Sequence, residues 1–441
     1  MKKRQFFYSL ALCISLLGCR GKKETYSINE STLDTDCLQH LTDVIVHDIY
    51  SPPVASRIYA YSNLAWYEAI RFTELNSTSI SEKLKGFDKM PLPEKSKKYD
   101  YTLTAVASFF KVSTSLIFSK DSLLKHHHKY FTYFEEKLSN DVLNNSIELG
   151  NKIAAIILKR ASADQYKITR GMPKYSVHNQ PGKWQQTPPD YADAAEPNWK
   201  LIQPLLLDAA LQLKPIPPPE YNLSKQSKYY KELMEVYNTS KNLTPSQDTI
   251  AKFWDDNPFV TAHEGHLLFA NKKITPGGHW MGITTTLCKK ASLSKIATSA
   301  LHTLTAAAMF DAFIVCWAEK YRSEMVRPIT VIREHIDPVW EAKLQTPPFP
   351  EYPSGHSVIT AAASTVLTHY LAPNFNFIDS TEYKYLGLVR SFSSIEAAAD
   401  ETGISRLYGG IHYRSAIVEG KNLGARIGAR YTTFFTSLRK P

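Results

Sequence analysis

Apolar residues recur about every 3.6 residues along most of this 441-residue chain, and no segment shows sustained apolar–polar alternation. That period is typical of helices that turn one apolar side toward a core. The composition agrees, because 18 glycines are few for a hairpin-rich fold, whereas 25 tyrosines and 20 phenylalanines suit packing between helices. The sequence therefore predicts an all-α protein. The predicted helices cover residues 38–72 with a break at Pro52 and Pro53, then 101–111, 122–138, 141–161, 224–237, 245–254, 293–325, 356–371, 383–400 and 415–435.

A proline-rich stretch divides the chain, since ten of the 25 prolines lie between residues 172 and 220. It predicts a long non-helical connection, and its tryptophans, Trp184 and Trp199, favour a packed segment over a free one. We therefore expect an N-terminal helical domain at 37–171, a connection at 172–220 and a C-terminal helical domain at 221–441.

The N-terminus carries an export signal. Lys2, Lys3 and Arg4 precede an apolar run over residues 6–17, which is too short to cross a membrane as a helix. The run ends in Leu-Leu-Gly-Cys at Cys19, which resembles a bacterial lipoprotein box, whose cysteine becomes lipidated. We expect a signal peptide at 1–18, a flexible tether at 19–36 and lipid on Cys19. This predicts an exported outer-membrane lipoprotein, on the periplasmic or cell-surface side.

The formal net charge is +10, and removing the three positive charges of the signal leaves 10 − 3 = +7. No block of lysines and arginines dominates the remainder. An anion-attracting surface explains this excess, so we expect no nucleic-acid partner.

Three short segments in the C-terminal half place cations and histidines in a fixed order. Lys320 and Arg327 lie seven residues apart, so two helical turns would put both cationic groups on one face. Pro353-Ser354-Gly355-His356 opens a predicted helix, whose free N–H groups and dipole form a ready anion site. Arg406 precedes His412 by six residues, and Gly409-Gly410 supplies the turn that both need to face one centre. Each segment alone is also compatible with a structural role, as a solvated face, an N-cap or an ordinary helix end.

Together the segments supply two arginines, a lysine, a serine hydroxyl, a glycine N–H and two histidines, the donors expected around a tetrahedral oxyanion. They resemble the signature of the superfamily that joins type-2 phosphatidic acid phosphatases and vanadium-dependent haloperoxidases: Lys-x6-Arg-Pro, Pro-Ser-Gly-His and Ser-Arg-x5-His. The resemblance runs from about Trp254 to Gly420. It implies two helical bundles of the vanadium haloperoxidase and acid phosphatase type.

Trp317, three residues before Lys320, and the lead-in Phe349-Pro350-Glu351-Tyr352-Pro353 are similar to the haloperoxidase branch, especially the bacterial iodoperoxidases. That resemblance implies a vanadate cofactor, with hydrogen peroxide and a halide, iodide or bromide, as substrates. It implies vanadium bonded to His412, His356 as the acid–base group, Lys320 as the residue that polarises peroxide, and Trp317 and Phe349 beside the halide. The remaining anion-binding groups are Arg327, Ser354, Gly355 and Arg406, and Asp255 or Asp256 is expected to pair with Arg406 and aim it.

One departure affects the choice of branch. The signature usually places an aspartate four residues after the histidine, and this chain has Ala416 there. The missing carboxylate lowers the activity of a phosphatase more than that of a haloperoxidase, because the histidine of a phosphatase must act as a nucleophile. A backbone carbonyl is one possible substitute, and reduced or lost activity is another outcome. Two alternatives therefore stay open: an acid phosphatase with a phosphohistidine intermediate, and a non-catalytic lipoprotein that binds oxyanions or glycans.

Overall fold

The computed structural model describes residues 26–74, 77–264, 266–270 and 272–436. Helices dominate it, which confirms the all-α class. The predicted signal at 1–18 and the lipid site at Cys19 lie outside the described residues. The helical body starts earlier than predicted, because the first helix begins at Leu33, inside the expected tether.

Fifteen α-helices, three short 3₁₀ turns and two short antiparallel strand pairs, β1–β2 and β3–β4, make up the regular structure of the described residues. The helices are α1 (Leu33–His47), α2 (Pro52–Ile70), α3 (Tyr101–Leu116), α4 (Lys120–Lys137), α5 (Asn140–Ala163), α6 (Tyr166–Arg170), α7 (Lys228–Lys241), α8 (Pro245–Phe253), α9 (Pro276–Lys290), α10 (Lys295–Ser323), α11 (Pro328–His335), α12 (Gly355–Tyr370), α13 (Tyr383–Leu386), α14 (Ile395–Tyr408) and α15 (Arg414–Phe434). The strands are β1 (Thr261–Glu264), β2 (Leu267–Ala270), β3 (Phe377–Asp379) and β4 (Arg390–Phe392).

The long helix α10 lies at the centre of the fold. It packs against α2 on one side and α12 on another, and α12 packs in turn against α15. By length and composition α10 could cross a membrane, but 94% of its most apolar window is buried inside the protein, as in a core helix. The largest cluster of buried apolar side chains is a single core that contains residues from both halves of the chain, from Leu33 to Phe435. The division at 172–220 therefore stays a prediction.

The contact between α12 and α15 is unusually close. Gly420, Gly424 and Gly428 repeat every four residues, so they lie on one side of α15 and face α12. A methyl group added at Gly424 would stand 2.1 Å from the backbone oxygen of Val358. Because α12 begins at Gly355, this contact helps to position the start of that helix.

The proline-rich connection packs onto the helices, in agreement with the prediction. Trp184 and Trp199 are fully buried, and the connection's only regular element among the described residues is a 3₁₀ turn at Trp199–Leu201. The buried carboxylate of Asp311 in α10 accepts the backbone N–H groups of Leu205, Leu206 and Leu207 at 2.7, 2.9 and 3.1 Å. A charged side chain in the core thus anchors a segment that makes no helix of its own.

Besides the short α6 and α11, which no predicted helix covers, two stretches depart from the predicted helices. The segment after Thr275, which no predicted helix covers, is α9, because Thr275 caps its N-terminus and Pro276 suits a first helical position, which outweighs the cost of Gly277 and Gly278. Residues 383–400 are not one helix, because α13 ends at Gly387 with φ of 68° and β4 intervenes before Ser394 caps α14.

A buried histidine of α10 that contacts α9 predicts that acid lowers the stability of the protein. His302 is 2% exposed, its Nε2 lies 2.9 Å from Thr285 Oγ1, and burial lowers its pKa from 6.5 to about 4. Between these pH values the unfolded chain binds a proton that the folded protein excludes, so stability falls as pH drops through this window, by about 3 kcal/mol at its lower end.

We expect His302→Gln, which keeps a hydrogen-bonding group, to weaken this pH dependence. Urea unfolding at about pH 7 and about pH 4.5 measures it. Equal losses of unfolding free energy in both proteins would contradict the assignment to His302.

Candidate functional site

The three segments singled out in the sequence meet in one buried site. It lies where the end of α10, the starts of α11 and α12, the end of α14 and the turn before α15 come together. Lys320, Arg327, Ser354 and Arg406 are 0% exposed, and His412 is 2% exposed. Gly355, His356 and His412 line the same cavity.

Lys320 and Arg327 reach this site from different helices, so the prediction of one shared helix face was wrong. Helix α10 ends at Ser323, and Glu324 has a left-handed backbone with φ of 53°. Arg327 then stands as the N-cap of α11 with ψ of 149°, because Pro328 disfavours a helical backbone in the residue before it. The chain turns between the two cations, and both still point inward.

Backbone carbonyls hold the ammonium group of Lys320. Its Nζ donates to the carbonyl oxygens of Pro350 at 3.0 Å, Glu351 at 3.0 Å and Pro353 at 2.6 Å. An ammonium has three N–H groups, so all of them are engaged. Burial, with Arg327 adding to it, lowers the pKa of Lys320 to about 7. Lys320 therefore attracts an anion mainly through its positive charge, because no N–H group is left to donate to it. A nearby anion would in turn favour the charged form of Lys320.

One nitrogen of the Arg327 guanidinium has no partner in the protein and can donate to a ligand. Its Nε donates to the Phe349 carbonyl at 2.9 Å, and its Nη1 donates to the Ile411 carbonyl at 2.8 Å. Nη1 also lies 3.2 Å from Nε2 of His412. Nη2 is buried and has no hydrogen-bond partner. A buried donor without a partner is costly, which points to a ligand at this position.

A carboxylate that the sequence analysis missed supports His412. Glu351 Oε1 lies 2.8 Å from His412 Nδ1 and also accepts the Tyr413 N–H at 2.9 Å. Arg327 can only donate to Nε2, so Nδ1 carries the proton and donates it to Glu351. Glu351 thus supplies the carboxylate that Ala416 lacks, and the backbone carbonyl expected in its place was the wrong substitute.

Burial shifts the pKa of both partners in this pair. It raises the pKa of Glu351 to about 8, against the opposing charge of Arg327, and it lowers the pKa of His412 well below its usual range. The signal for Glu351 was in the chain, because it is the one carboxylate between the prolines that precede Ser354. Only the fold shows that it faces His412.

Arg406 is held by backbone carbonyls, not by the aspartate side chains that were expected to aim it. Its Nη1 donates to the Asp255 carbonyl at 3.2 Å and its Nη2 to the Trp254 carbonyl, while Nε donates to Ser405 Oγ at 3.0 Å. The Asp255 carboxylate pairs with Lys273 instead. Burial lowers the pKa of Arg406 to about 10, and the two nearby aspartates, Asp255 and Asp256, partly oppose this. Both aspartates still lie near Arg406.

The start of α12 faces the same centre. Ser354 is the N-cap, and its hydroxyl accepts the Ser357 N–H at 3.4 Å and the Ser357 hydroxyl at 3.0 Å. A methyl group added at Gly355 would lie 3.9 Å from Lys320 Cε, so this backbone runs close to the ammonium. Nε2 of His356 is buried without a partner, and burial followed by the charge of Arg406 lowers its pKa well below the usual range.

Apolar side chains form the mouth of the site. The ring centroids of Trp317 and Phe349 lie 4.9 Å apart, and Lys320 Nζ lies 4.9 Å from the Phe349 centroid. The indole N–H of Trp317 points away, donating to the Ala195 carbonyl at 3.1 Å. The space between these side chains is small, about 20 Å³ for water-sized molecules. Its walls are Pro52, Asp256, Asn257, Phe259, Pro276, Phe313, Trp317, Pro347, Phe349, Gly355, His356, Ile411 and His412.

The chain is similar to proteins of known structure. Residues 300–339 and 335–441 match a family model described as the VCPO second helical-bundle domain. A bacterial vanadium-dependent iodoperoxidase is 43% identical, with 93% of this chain and 98% of that chain covered and a TM-score of 0.87. A comparison with curated protein sequences gave no match.

Two structures of a bacterial vanadium-dependent chloroperoxidase are more distant. The holo form is 14% identical with a TM-score of 0.65, covering 90% of this chain and 96% of that chain. The apo form is 16% identical with a TM-score of 0.67, covering 90% and 97%. At this identity the likeness concerns the fold alone.

Proposed function

The chain belongs to the vanadium-dependent haloperoxidase family, and from that premise we propose that it oxidises iodide or bromide with hydrogen peroxide at the site around His412. The observation that carries the proposal is the meeting of Lys320, Arg327, the start of α12 and His412 in one buried site with unpartnered polar atoms. Iodide is supported further by the 43% identity to an iodoperoxidase.

The residues present fit a vanadate anion. Three buried cations, Lys320, Arg327 and Arg406, surround a site where one carboxylate, Glu351, is bonded to His412. Arg327 Nη2 has no protein partner, and the first N–H groups of α12 have no partner within the helix. His412 would bind vanadium through Nε2, the ring nitrogen that does not face Glu351. Bound vanadate would act as a Lewis acid that activates peroxide toward halide.

Side chains of the site would accept a proton from peroxide and stabilise the negative charge that remains. The low pKa of His356 keeps its imidazole neutral near pH 7, so the unpartnered Nε2 can accept a proton from hydrogen peroxide. Lys320 and the two arginines stabilise the negative charge left on oxygen. Trp317 and Phe349 keep water away from the halide side of the cavity.

A phosphatase is the second candidate, and one observation favours it. Glu351 provides His412 with the carboxylate whose loss counted against a nucleophilic histidine. The 43% identity to an iodoperoxidase favours the haloperoxidase.

Incubating the metal-free protein with vanadate tests the two candidates directly. Peroxide-dependent oxidation of iodide, bromide and chloride is assayed beside hydrolysis of p-nitrophenyl phosphate. We expect oxidation of iodide or bromide only after vanadate loading. Hydrolysis that vanadate inhibits, without halide oxidation, would establish the phosphatase. A folded protein with neither activity would favour a binding lipoprotein.

The contact between Glu351 and His412 gives a second expected result. Glu351→Gln keeps the size of the side chain but replaces one carboxyl oxygen by an amide nitrogen, which weakens the contact that orients the imidazole. Loss of such a supporting group typically costs about 10–100-fold in affinity or activity. We expect losses of that size in vanadate affinity, measured by equilibrium dialysis, and in halide oxidation.

Glu68→Gln is the matched control, because Glu68 is buried in α2 and paired with Arg71. It lies away from the anion site formed by Lys320, Arg327, Ser354, Gly355, His356, Arg406 and His412, which we call the cage. The substitution should leave vanadate affinity unchanged even where it lowers the melting temperature. Equal affinities in the Glu351 variant and the original protein would remove Glu351 from the site.

We also propose that the protein is exported and attached to the outer membrane through lipid on Cys19. The basic residues 2–4, the apolar run and the Leu-Leu-Gly-Cys sequence support this. Labelled palmitate should appear in the full-length protein and be absent from Cys19→Ala, which should leave the membrane fraction. Unlabelled protein that stays soluble would contradict the proposal.

A further inference from the structure

A second buried group of ligand-type side chains lies behind the cage. His279 near the start of α9 is 0% exposed, and three carboxylates surround its ring. Asp256 follows α8, Asp379 ends β3 and Glu382 precedes α13, and their side chains are at most 3% exposed. The proposed vanadate chemistry uses none of these side chains directly.

Asp379 holds one ring nitrogen of His279. Asp379 Oδ2 lies 2.8 Å from Nε2, and its other oxygen accepts the Thr381 N–H at 2.9 Å. Trp254 stacks on the imidazole with ring centroids 4.6 Å apart, which holds the ring's orientation. A carboxylate on the far nitrogen is the usual support of a metal-binding histidine. Because Nε2 is directed at Asp379, Nδ1 faces the opposite side of the group.

Nδ1 faces two carboxylates, and only one of them lies within hydrogen-bonding distance. The Asp256 oxygens lie 3.0 and 3.1 Å from Nδ1, but Glu382 Oε1 lies 3.7 Å away, beyond the ~2.7–3.2 Å of a hydrogen bond. Glu382 Oε1 is buried and has no hydrogen-bond partner. Ligands in a tetrahedral zinc site stand about 3.3 Å apart, because each bond is about 2.0–2.1 Å long. The observed distances bracket that value.

The group also contains more carboxylates than positively charged partners, which favours a bound cation. The ion pairs that the structure shows for Asp256, Asp379 and Glu382 all go to His279, so three carboxylates share one imidazole. Of the nearby cations, Lys273 pairs with Asp255 and Arg406 faces the cage.

We propose that Asp256, His279 and Glu382 bind a divalent transition-metal ion, Zn²⁺ by its ligand chemistry, with Asp379 supporting the histidine. The ligand atoms all lie within 4.8 Å of one another. A cavity of about 260 Å³ lies nearby, lined by Gly278, Ser380 and Thr381, the chain neighbours of His279, Asp379 and Glu382. The ion would hold the 255–256 backbone, whose Asp255 carbonyl binds Arg406.

Metal analysis of purified, vanadate-free protein tests this independently of halide oxidation. After growth with zinc, we expect about one equivalent of zinc per chain by mass spectrometry, and a lower melting temperature after chelation that zinc restores. Glu382→Gln and Asp256→Asn should each lower the zinc content at least about tenfold. His302→Gln, a change at another buried histidine, should leave it unchanged.

Two results would overturn the proposal. One is folded protein with no stoichiometric divalent metal and no rise in melting temperature on adding Zn²⁺ or Mn²⁺; a proton then occupies the space between Nδ1 and the carboxylates. The other is zinc content that survives in folded Glu382→Gln and Asp256→Asn, because the metal then sits elsewhere. Circular dichroism establishes folding for each variant.

Discussion

His412→Ala abolishes vanadate-dependent halide oxidation and vanadate binding, because it removes the only side chain proposed to bond vanadium. Loss of a single hydrogen-bond donor to a reacting oxyanion costs about 10²–10³-fold, and loss of the bonding ligand should cost more. The variant also leaves Glu351 buried beside a space instead of an imidazole. Steady-state oxidation of iodide with vanadate in excess measures the first effect, and equilibrium dialysis of vanadate measures the second.

His128→Ala is the control, because His128 is exposed on α4, far along the chain from the cage. Its activity should match that of the original protein. His412→Gln gives a second test should the alanine variant fold poorly, since the amide can still contact Glu351 but is a poor vanadium ligand. A folded His412 variant that oxidises halide at the original rate would refute the assignment.

Gly424→Ala destabilises the protein by about 3 kcal/mol or more, the upper range for an overpacked core. The new methyl group would stand 2.1 Å from the Val358 carbonyl oxygen and 2.8 Å from Ala361 Cβ. Neither contact is the end of a flexible side chain, so α12 and α15 must move apart. Urea unfolding measures the loss, and vanadate affinity should fall as well, because the displaced α12 carries Ser354 and Gly355.

Gly277→Ala is the matched substitution. Its added methyl group would meet Phe313 at 3.9 Å and Thr275 at 4.0 Å, which is ordinary contact. Its unfolding free energy should stay within about 1 kcal/mol of the original, since alanine favours a helix over glycine by about that amount. Similar stability losses at the two positions would show that the α12–α15 contact is looser than described.

The helices and the cage segments could be predicted from sequence because their signals are local. Apolar periodicity shows which face of a helix is buried, and Ser354 with Gly355 marks a helix start whatever surrounds it. Where local signals compete, the predictions failed. The glycines after Pro276 hid the start of α9, and the continuous pattern across 383–400 hid the break at Gly387.

Contacts between distant segments could not be predicted in the same way. Glu351 and His412 are 61 residues apart, and no pattern along the chain pairs them. The support of Arg406 was misjudged because backbone carbonyls, which every residue carries, replaced the expected aspartate side chains. The carboxylates around His279 likewise come from three separate elements. Such contacts follow from the packing of whole helices.

The three carbonyls that hold Lys320 affect the thermodynamics of anion capture. A free lysine side chain loses about 1.5–2 kcal/mol of rotamer entropy when it is immobilised. Here that loss occurs during folding, because Pro350, Glu351 and Pro353 fix the ammonium before any ligand arrives. Binding then draws on a preorganised charge, and the entropic penalty of arranging this side chain is absent from the association step.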